Sequence, residues 1–243
     1  MVQNTRAAGR PAHHPVATLA HVPSNLDSAL LTGWARAATQ ALERHRAEID
    51  RINVFPVPDG DTGTNLLLTM RSAADALPAN GEPAGRVAQA MAAGAMRGAR
   101  GNSGFILSQV LLGVSEAVTA MGAQPSGGRV LADALCRAHR LATAAVSRPR
   151  QGTVLSVLAA AARAAMVAGA VALEAVAEAA ASAAATALRA TTGQLPELSR
   201  AGVVDAGGLG LYLVLDALAS VLGGRPAADE LPAGDTPQPA CGH

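Results

Sequence analysis

The stretch Asn53-Val-Phe-Pro-Val-Pro-Asp-Gly-Asp-Thr-Gly-Thr-Asn65 combines a stiff loop with a dense set of oxygen-bearing side chains. Its two prolines restrict the backbone, and the apolar run at residues 66–70 predicts that a helix follows directly. Hard cations such as Mg²⁺ prefer carboxylate, hydroxyl and amide oxygens, and helix N-termini attract anions. A metal bound together with a phosphate is therefore one hypothesis, and a surface turn with an Asp cap on the helix is the alternative.

The composition favours closely packed helices and excludes several chemistries. Of the 243 residues, 50% are hydrophobic, mainly Ala, Leu and Val, and only 2% are aromatic, which argues against a β-sandwich. The net charge of +1 and the lack of stacking aromatics argue against nucleic-acid binding. All 19 basic residues are Arg, so a lysine P-loop and Schiff-base catalysis are excluded. A phosphate site here would have to use metal, backbone N–H groups and Arg.

The remaining global features predict a cytoplasmic protein without a membrane span. The two cysteines, Cys136 and Cys241, are too few for a disulfide framework. The apolar run at 159–190 is interrupted by charged residues, and the N-terminus lacks an apolar signal segment. We expect a flexible tail at 1–22, a domain at 23–222 and a disordered tail at 223–243. The sequence leaves the oligomeric state open.

Apolar periodicity predicts eight helices and no strand. The first helix follows a cap at Ser24 or Asn25. The others are predicted at Asp61–Leu77, Pro83–Arg97, Phe105–Met121, Arg129–Val146, Thr153–Met166, Val171–Ala190 and Leu211–Leu222. Residues 191–200 are predicted to form a connection.

Four helix junctions share glycine and a small polar residue directly before a helix. They are Asp59–Asn65, Gly101–Gly104, Gly152–Thr153 and Asp205–Gly210. Glycine beside a single helix end is common and carries little information. These four, however, fall at alternate junctions, which meet at the same end of an antiparallel barrel of helices. They therefore predict one composite site suited to a nucleotide polyphosphate bridged by Mg²⁺.

Three motifs resemble the nucleotide-binding L domain of the dihydroxyacetone kinase family, in the form found at the N-terminus of bacterial fatty-acid kinases. They are the 53–65 stretch, Gly98-Ala-Arg-Gly-Asn-Ser-Gly104 and Gly202-Val-Val-Asp-Ala-Gly-Gly208, in the family's order. The resemblance covers residues 24–222. It implies an all-α, eight-helix antiparallel barrel that binds ATP or ADP with two Mg²⁺ ions at one end.

The resemblance also implies roles for individual residues. Asp59 and Asp61 would hold the metals, and Asn53 is the nearest candidate where the dihydroxyacetone branch has a third aspartate. Gln151 stands where the fatty-acid branch usually has Glu. The residues implied to contact nucleotide are Thr62, Gly63, Thr64, Asn65, Asn102, Ser103, Gly152, Thr153, Asp205, Ala206 and Gly207.

The leading functional prediction is a kinase subunit that takes its acceptor from a partner protein. Phosphoryl transfer depends on positioning and charge neutralisation, and a guanidinium would assist it. The candidates are Arg97, Arg100, Arg148 and Arg150, of which Arg100 is favoured because it lies in the glycine loop. The partner would carry a fatty acid or a triose-like acceptor. The alternatives are a non-catalytic ADP-binding regulatory module and a metal-dependent phosphohydrolase.

Overall fold

A computed structural model describes residues 24–121, 126–169, 172–227 and 231–232, and within these ranges it contains nine helices and no strand. The helices are α1 (Ser28–Arg51), α2 (Thr62–Asp75), α3 (Ala84–Gly98), α4 (Gly101–Thr119), α5 (Gly127–Ala144), α6 (Val154–Ala168), α7 (Leu173–Gln194), α8 (Pro196–Ala201) and α9 (Ala206–Gly223). The predicted tail at 1–22, most of the predicted tail at 223–243, and Cys241 lie outside the described residues. Cys136 is a free, partly buried cysteine.

The eight long helices form a closed ring. Each helix from α1 to α7 packs against the next in sequence, α7 packs against α9, and α9 returns to α1. Short connections make consecutive helices antiparallel. A buried hydrogen bond supports the closure, because the indole Nε1 of Trp34 in α1 donates to the carbonyl of Val214 in α9 at 2.8 Å. The predicted all-α barrel is confirmed.

Four details of the predicted helices are wrong. Helix α9 begins at Ala206 rather than Leu211, because the glycine-rich run after Asp205 forms its first turn. The cap of α1 is Asp27, whose carboxylate accepts from Leu30 N at 2.8 Å, and not Ser24 or Asn25. Helix α4 begins at Gly101 rather than Phe105, so the glycine loop supplies its first turn. The predicted connection at 191–200 contains the end of α7 and most of α8, whose six residues are too few to show a helical period.

Helix α9 is the most apolar helix of the ring and is buried along nearly its whole length. It packs against α1, α2, α6 and α7, so apolar side chains are favoured all around it. By length and composition α9 is apolar enough to cross a membrane, but 83% of it is buried inside the protein. The sequence had instead pointed to residues 159–190 as the run that came closest to a membrane span. The hydrophobicity of α9 is therefore explained by its place in the core.

Candidate functional site

The junctions before α2, α4, α6 and α9 meet around one cavity of about 510 Å³ at one end of the ring. Ten of the sequence-predicted site residues line it: Asn53, Asp59, Asp61, Thr62, Asn65, Asn102, Ser103, Thr153, Asp205 and Gly207. Five do not line it: Gly63, Thr64, Arg100, Gly152 and Ala206. Each of these five is a direct sequence neighbour of a lining residue.

The loop before α2 presents two exposed carboxylates, one of which is held by an amide. Asn53 is only 5% exposed. Its Nδ2 donates to Asp59 Oδ1 at 2.7 Å and to the carbonyl of Val57 at 3.2 Å, and its Oδ1 accepts from Thr62 Oγ1 at 2.9 Å. The Phe55–Pro56 peptide bond is cis. In this arrangement Asn53 positions Asp59, and its role as a metal ligand stays a prediction.

The N-terminus of α2 is capped from another helix. Asp61 occupies the N-cap position, but its carboxylate makes no capping hydrogen bond. Asp50, in the last turn of α1, takes that role: its Oδ1 accepts from Thr64 N at 3.0 Å and its Oδ2 from Thr64 Oγ1 at 2.8 Å. Arg46 pairs with Asp50 at 3.1 Å. Because Asp50 satisfies the helix end, the carboxylate of Asp61 is available to a ligand.

Helix α4 presents an uncapped N-terminus to the same cavity. Its N-cap residue is Arg100, whose side chain makes no capping hydrogen bond and whose own N–H donates to Thr69 Oγ1 at 3.4 Å. Gly101, Asn102 and Ser103, which line the cavity, supply first-turn N–H groups without intrahelical acceptors. A Cβ at Gly101 would lie 2.5 Å from Asn65 Nδ2, so this junction requires glycine. The combined dipole and N–H groups favour an anion here.

Asp205 ties the N-termini of α6 and α9 together beneath the cavity. It is 5% exposed, and its Oδ2 accepts from Gly208 N at 2.7 Å while its own N–H donates to Thr191 Oγ1 at 3.0 Å. Burial raises the pKa of Asp205 to about 6, although hydrogen bonds from the backbone of Gly208 and Val154 act to lower it. In the folded protein the carboxyl of Asp205 therefore stays neutral up to about pH 6, well above the range of an ordinary aspartate.

This raised pKa predicts a pH-dependent contribution to stability. The folded pKa of about 6 lies above the ordinary value of 3.8, so the native state binds the extra proton between these values. The stabilising term is fully present below pH 3.8 and is lost as the pH rises through about 6. Two pKa units at 1.36 kcal/mol each correspond to about 3 kcal/mol.

We expect Asp205→Asn to remove this dependence. Between pH 4 and pH 7, the free energy of unfolding of the wild type should fall relative to that of the variant by about 3 kcal/mol at most, measured by urea denaturation. The exposed Asp75→Asn variant is the control and should follow the wild type at each pH. Parallel curves for the wild type and Asp205→Asn would contradict the assignment.

Two arginines and the aromatic ring of Phe55 also lie on the cavity wall. Arg148 and Arg150 line it, and the Arg150 guanidinium lies 5.6 Å from the centroid of the Phe55 ring. The sequence prediction had favoured Arg100, whose guanidinium instead donates to the carbonyl of Ala99 at 3.4 Å. Phe55 was missed as a site residue. The signal was its position in the decisive loop of a chain with only two Phe.

The oxygen-bearing side chains of the cavity suit an Mg²⁺ ion that shares its coordination with a bound ligand, rather than a metal coordinated by protein alone. Asp59 and Asp61 are exposed carboxylates on the same loop. Within 24–121, 126–169, 172–227 and 231–232, no group of three or more His, Cys, Asp or Glu is placed to hold a metal. Mg²⁺ is commonly held by one or two carboxylates together with phosphate oxygens and water. The donor set is compatible with a metal that arrives with a phosphate ligand.

The fold and this cavity define a class: an all-α barrel with a candidate ligand site formed by helix N-termini and carboxylates at one end. The chain belongs to the DAK2 domain family, since that domain matches residues 56–220. The match includes all of the cavity's junctions except the start of the 53–65 loop.

Comparison with individual proteins agrees with this family. The chain is 36% identical to protein YloV of Bacillus subtilis over 82% of its own length and 36% of that protein. It is 34% identical to an uncharacterized protein of Staphylococcus saprophyticus over 86% of its length and 38% of that protein. The chain thus spans less than two-fifths of these relatives.

A solved structure shares the fold. The dihydroxyacetone kinase of C. freundii superimposes with a TM-score of 0.59 at 20% sequence identity. The superposition covers 90% of this chain and 39% of that chain. At this identity the likeness concerns the arrangement of helices.

Proposed function

We propose that the cavity binds ATP with Mg²⁺ and that the chain is the nucleotide-binding part of a kinase. One observation carries the proposal: an uncapped helix N-terminus and two exposed carboxylates line the same 510 Å³ cavity. The helix N-terminus would attract an anion without a metal, but the two carboxylates would repel it. A phosphate chain that brings a divalent cation satisfies both.

The residues divide into two groups around such a ligand. Gly101, Asn102 and Ser103 would donate their backbone N–H groups to phosphate oxygens. Asp59 and Asp61 would hold Mg²⁺, with Asn53 orienting Asp59 through its 2.7 Å hydrogen bond. When bound, Mg²⁺ neutralises phosphate charge and orients the phosphoryl group. The assignment of two metal ions, like the choice between ATP and ADP, belongs to the same proposal.

The guanidinium that assists phosphoryl transfer is proposed to come from the arginines of the cavity wall instead of Arg100. Arg148 and Arg150 line the cavity and form no ion pair with any acid in the described part of the chain. A guanidinium facing phosphate can form charge-assisted, bidentate hydrogen bonds. We assign Arg148 to the transferring phosphoryl group, because the Phe55 ring already engages Arg150.

The acceptor would be presented by a partner protein or by a further domain. Val57 and Phe105 line the cavity and remain 58% and 41% exposed, so the cavity rim offers apolar contact area. An acceptor oxygen would attack the γ-phosphorus, form a new P–O bond and release ADP with the bridging oxygen. Given the family, the acceptor is proposed to be a triose hydroxyl or a fatty-acid carboxylate in the cytoplasm.

Calorimetric titration tests the nucleotide site directly. We expect the full chain to bind ATP saturably at a ratio of one in the presence of Mg²⁺, and at least about tenfold more weakly in EDTA, a loss of about 1.4 kcal/mol. The reason is that Asp59 and Asp61 repel bare phosphate. Saturable binding that is absent, or unchanged by EDTA, would contradict the proposal.

The same preparation separates the two alternative functions. A regulatory module would bind ADP without turning over ATP when candidate acceptor proteins are supplied. A phosphohydrolase would release inorganic phosphate without any acceptor. A kinase subunit requires acceptor-dependent consumption of ATP, measured as ADP formed with and without the partner.

A further inference from the structure

A second cavity, of about 440 Å³, lies on the opposite side of the connection between α5 and α6. Ser147 and Arg148 of this connection line the first cavity, Pro149 and Gln151 line the second, and Arg150 lines both. The volume lies within the range of about 300–1,000 Å³ usual for small-molecule sites. The two cavities therefore adjoin at Arg150 of this loop and at Leu155 in the first turn of α6.

The second cavity carries positive charge that no lining residue balances. Arg150 and Arg163 contribute guanidinium groups, His139 adds an imidazole, and none of the lining residues is Asp or Glu. Arg163 forms no ion pair within the described ranges. In a chain with a net charge of only +1, this local concentration of cations is a feature of the site and not of the whole surface.

One lining residue carries an unsatisfied hydroxyl, and two others carry side-chain amides. Thr143 lines it, and its Oγ1 is buried without a hydrogen-bond partner among the described residues. A buried polar atom left unpaired costs about 1–3 kcal/mol. The side-chain amides of Gln151 and Gln194 add further donors to the lining. A bound oxyanion could accept hydrogen bonds from these two amides.

One side of the cavity is apolar. Leu155, Ala159, Ala160 and Ala187 form this part of the lining. The guanidinium of Arg163, together with that of Arg150, which also lies against the Phe55 ring, favours a dianion over a monoanion, and the apolar wall favours a carbon group attached to it. We propose that this cavity is a second ligand site, distinct from the nucleotide site, for a small organic phosphate monoester.

Variant design follows from which residues the two cavities share. Arg150 and Leu155 line both cavities, so their substitution would not separate the sites. Arg163 lines only the second cavity and is exposed, so Arg163→Gln removes one charge without disturbing the core. Arg140→Gln is the matched control, because Arg140 is also exposed and lines neither cavity.

Amide chemical shifts of the ¹⁵N-labelled full chain would locate binding of phenyl phosphate. We expect saturable shifts at Ser156 and Gln194, which line only the second cavity. Arg163→Gln should weaken this binding at least tenfold, and Arg140→Gln should leave it within twofold. Inorganic phosphate should bind more weakly than phenyl phosphate, and neutral phenol should not bind.

Three results would overturn the second site. Shifts confined to Asn65 and Asn102, which line only the first cavity, would assign phenyl phosphate to the nucleotide site alone. Equal weakening by Arg163→Gln and Arg140→Gln would indicate diffuse electrostatic attraction. Equal affinity for inorganic and phenyl phosphate would remove the organic ligand. None of these results bears on Mg²⁺-ATP binding, which the calorimetric titration tests separately.

Discussion

Asp61→Asn is expected to lower the Mg²⁺-dependent affinity for ATP by at least about 100-fold, or about 2.7 kcal/mol, while leaving the melting temperature unchanged. The two halves of this expectation have different causes. Asp61 lines the cavity as an exposed carboxylate, so its charge is available to a metal. Its side chain caps no helix N–H, because Asp50 does so. The substitution should therefore remove a ligand without removing a structural contact.

The control for this variant lies at the other end of the same helix. Asp75 is an exposed residue in the last turn of α2 and lines neither cavity. Asp75→Asn makes the same change of charge and should leave ATP affinity unaltered. Calorimetric titration with Mg²⁺-ATP and thermal unfolding of both variants measure the two quantities. A drop in melting temperature for Asp61→Asn would mean that Asp61 is a structural cap, as the surface-turn alternative holds.

Gly113→Ala is expected to destabilise the protein by about 2–3 kcal/mol, although alanine is the better helix former. A Cβ at Gly113 in α4 would lie 2.6 Å from the Cα and 3.0 Å from the Cβ of Ala138 in α5, and would also overlap the Ala138 backbone nitrogen. Backbone atoms of a packed helix cannot rotate away, so α5 would have to shift. Overpacking of this kind costs more than the gain of about 1 kcal/mol in helix propensity.

The same substitution at Gly33 should have the opposite sign. There a Cβ would meet only Val221 Cγ1 at an ordinary 3.5 Å, so Gly33→Ala in α1 should stabilise by up to about 1 kcal/mol. Urea denaturation of the two variants gives both free energies of unfolding. Stabilisation by Gly113→Ala would show that α4 and α5 are packed less closely than the 2.6 Å approach to Ala138 Cα requires.

Much of this architecture was predictable because its signals are local. Apolar residues at helical spacing identified all eight long helices, and the glycine-bearing junctions identified four helix starts that meet at one cavity. The failures are also local in origin. Helix α8 is six residues long. The true starts of α4 and α9 lie within glycine-rich runs, where no apolar period marks them.

The residues that organise the candidate site were less accessible. Sequence rules for helix caps consider side chains within about three residues of the cap, so the surface-turn alternative placed the cap of α2 on an Asp of the 53–65 loop. Asp50 reaches Thr64 across 14 positions because α1 and α2 pack side by side. Arg100 was favoured over Arg148 and Arg150 because it shares a glycine loop, yet only the latter two line the cavity.

The sequence by itself determined the helical class, the family and the end of the barrel where the candidate site lies. These follow from apolar periodicity and from motifs of consecutive residues, which can be recognised without knowing how the helices pack against one another. Only the tertiary structure decided which carboxylates cap helices and which remain available to a ligand. It also decided that two cavities adjoin at Arg150 and Leu155. Both depend on distances between residues on different helices, and these distances exist only once the ring has closed.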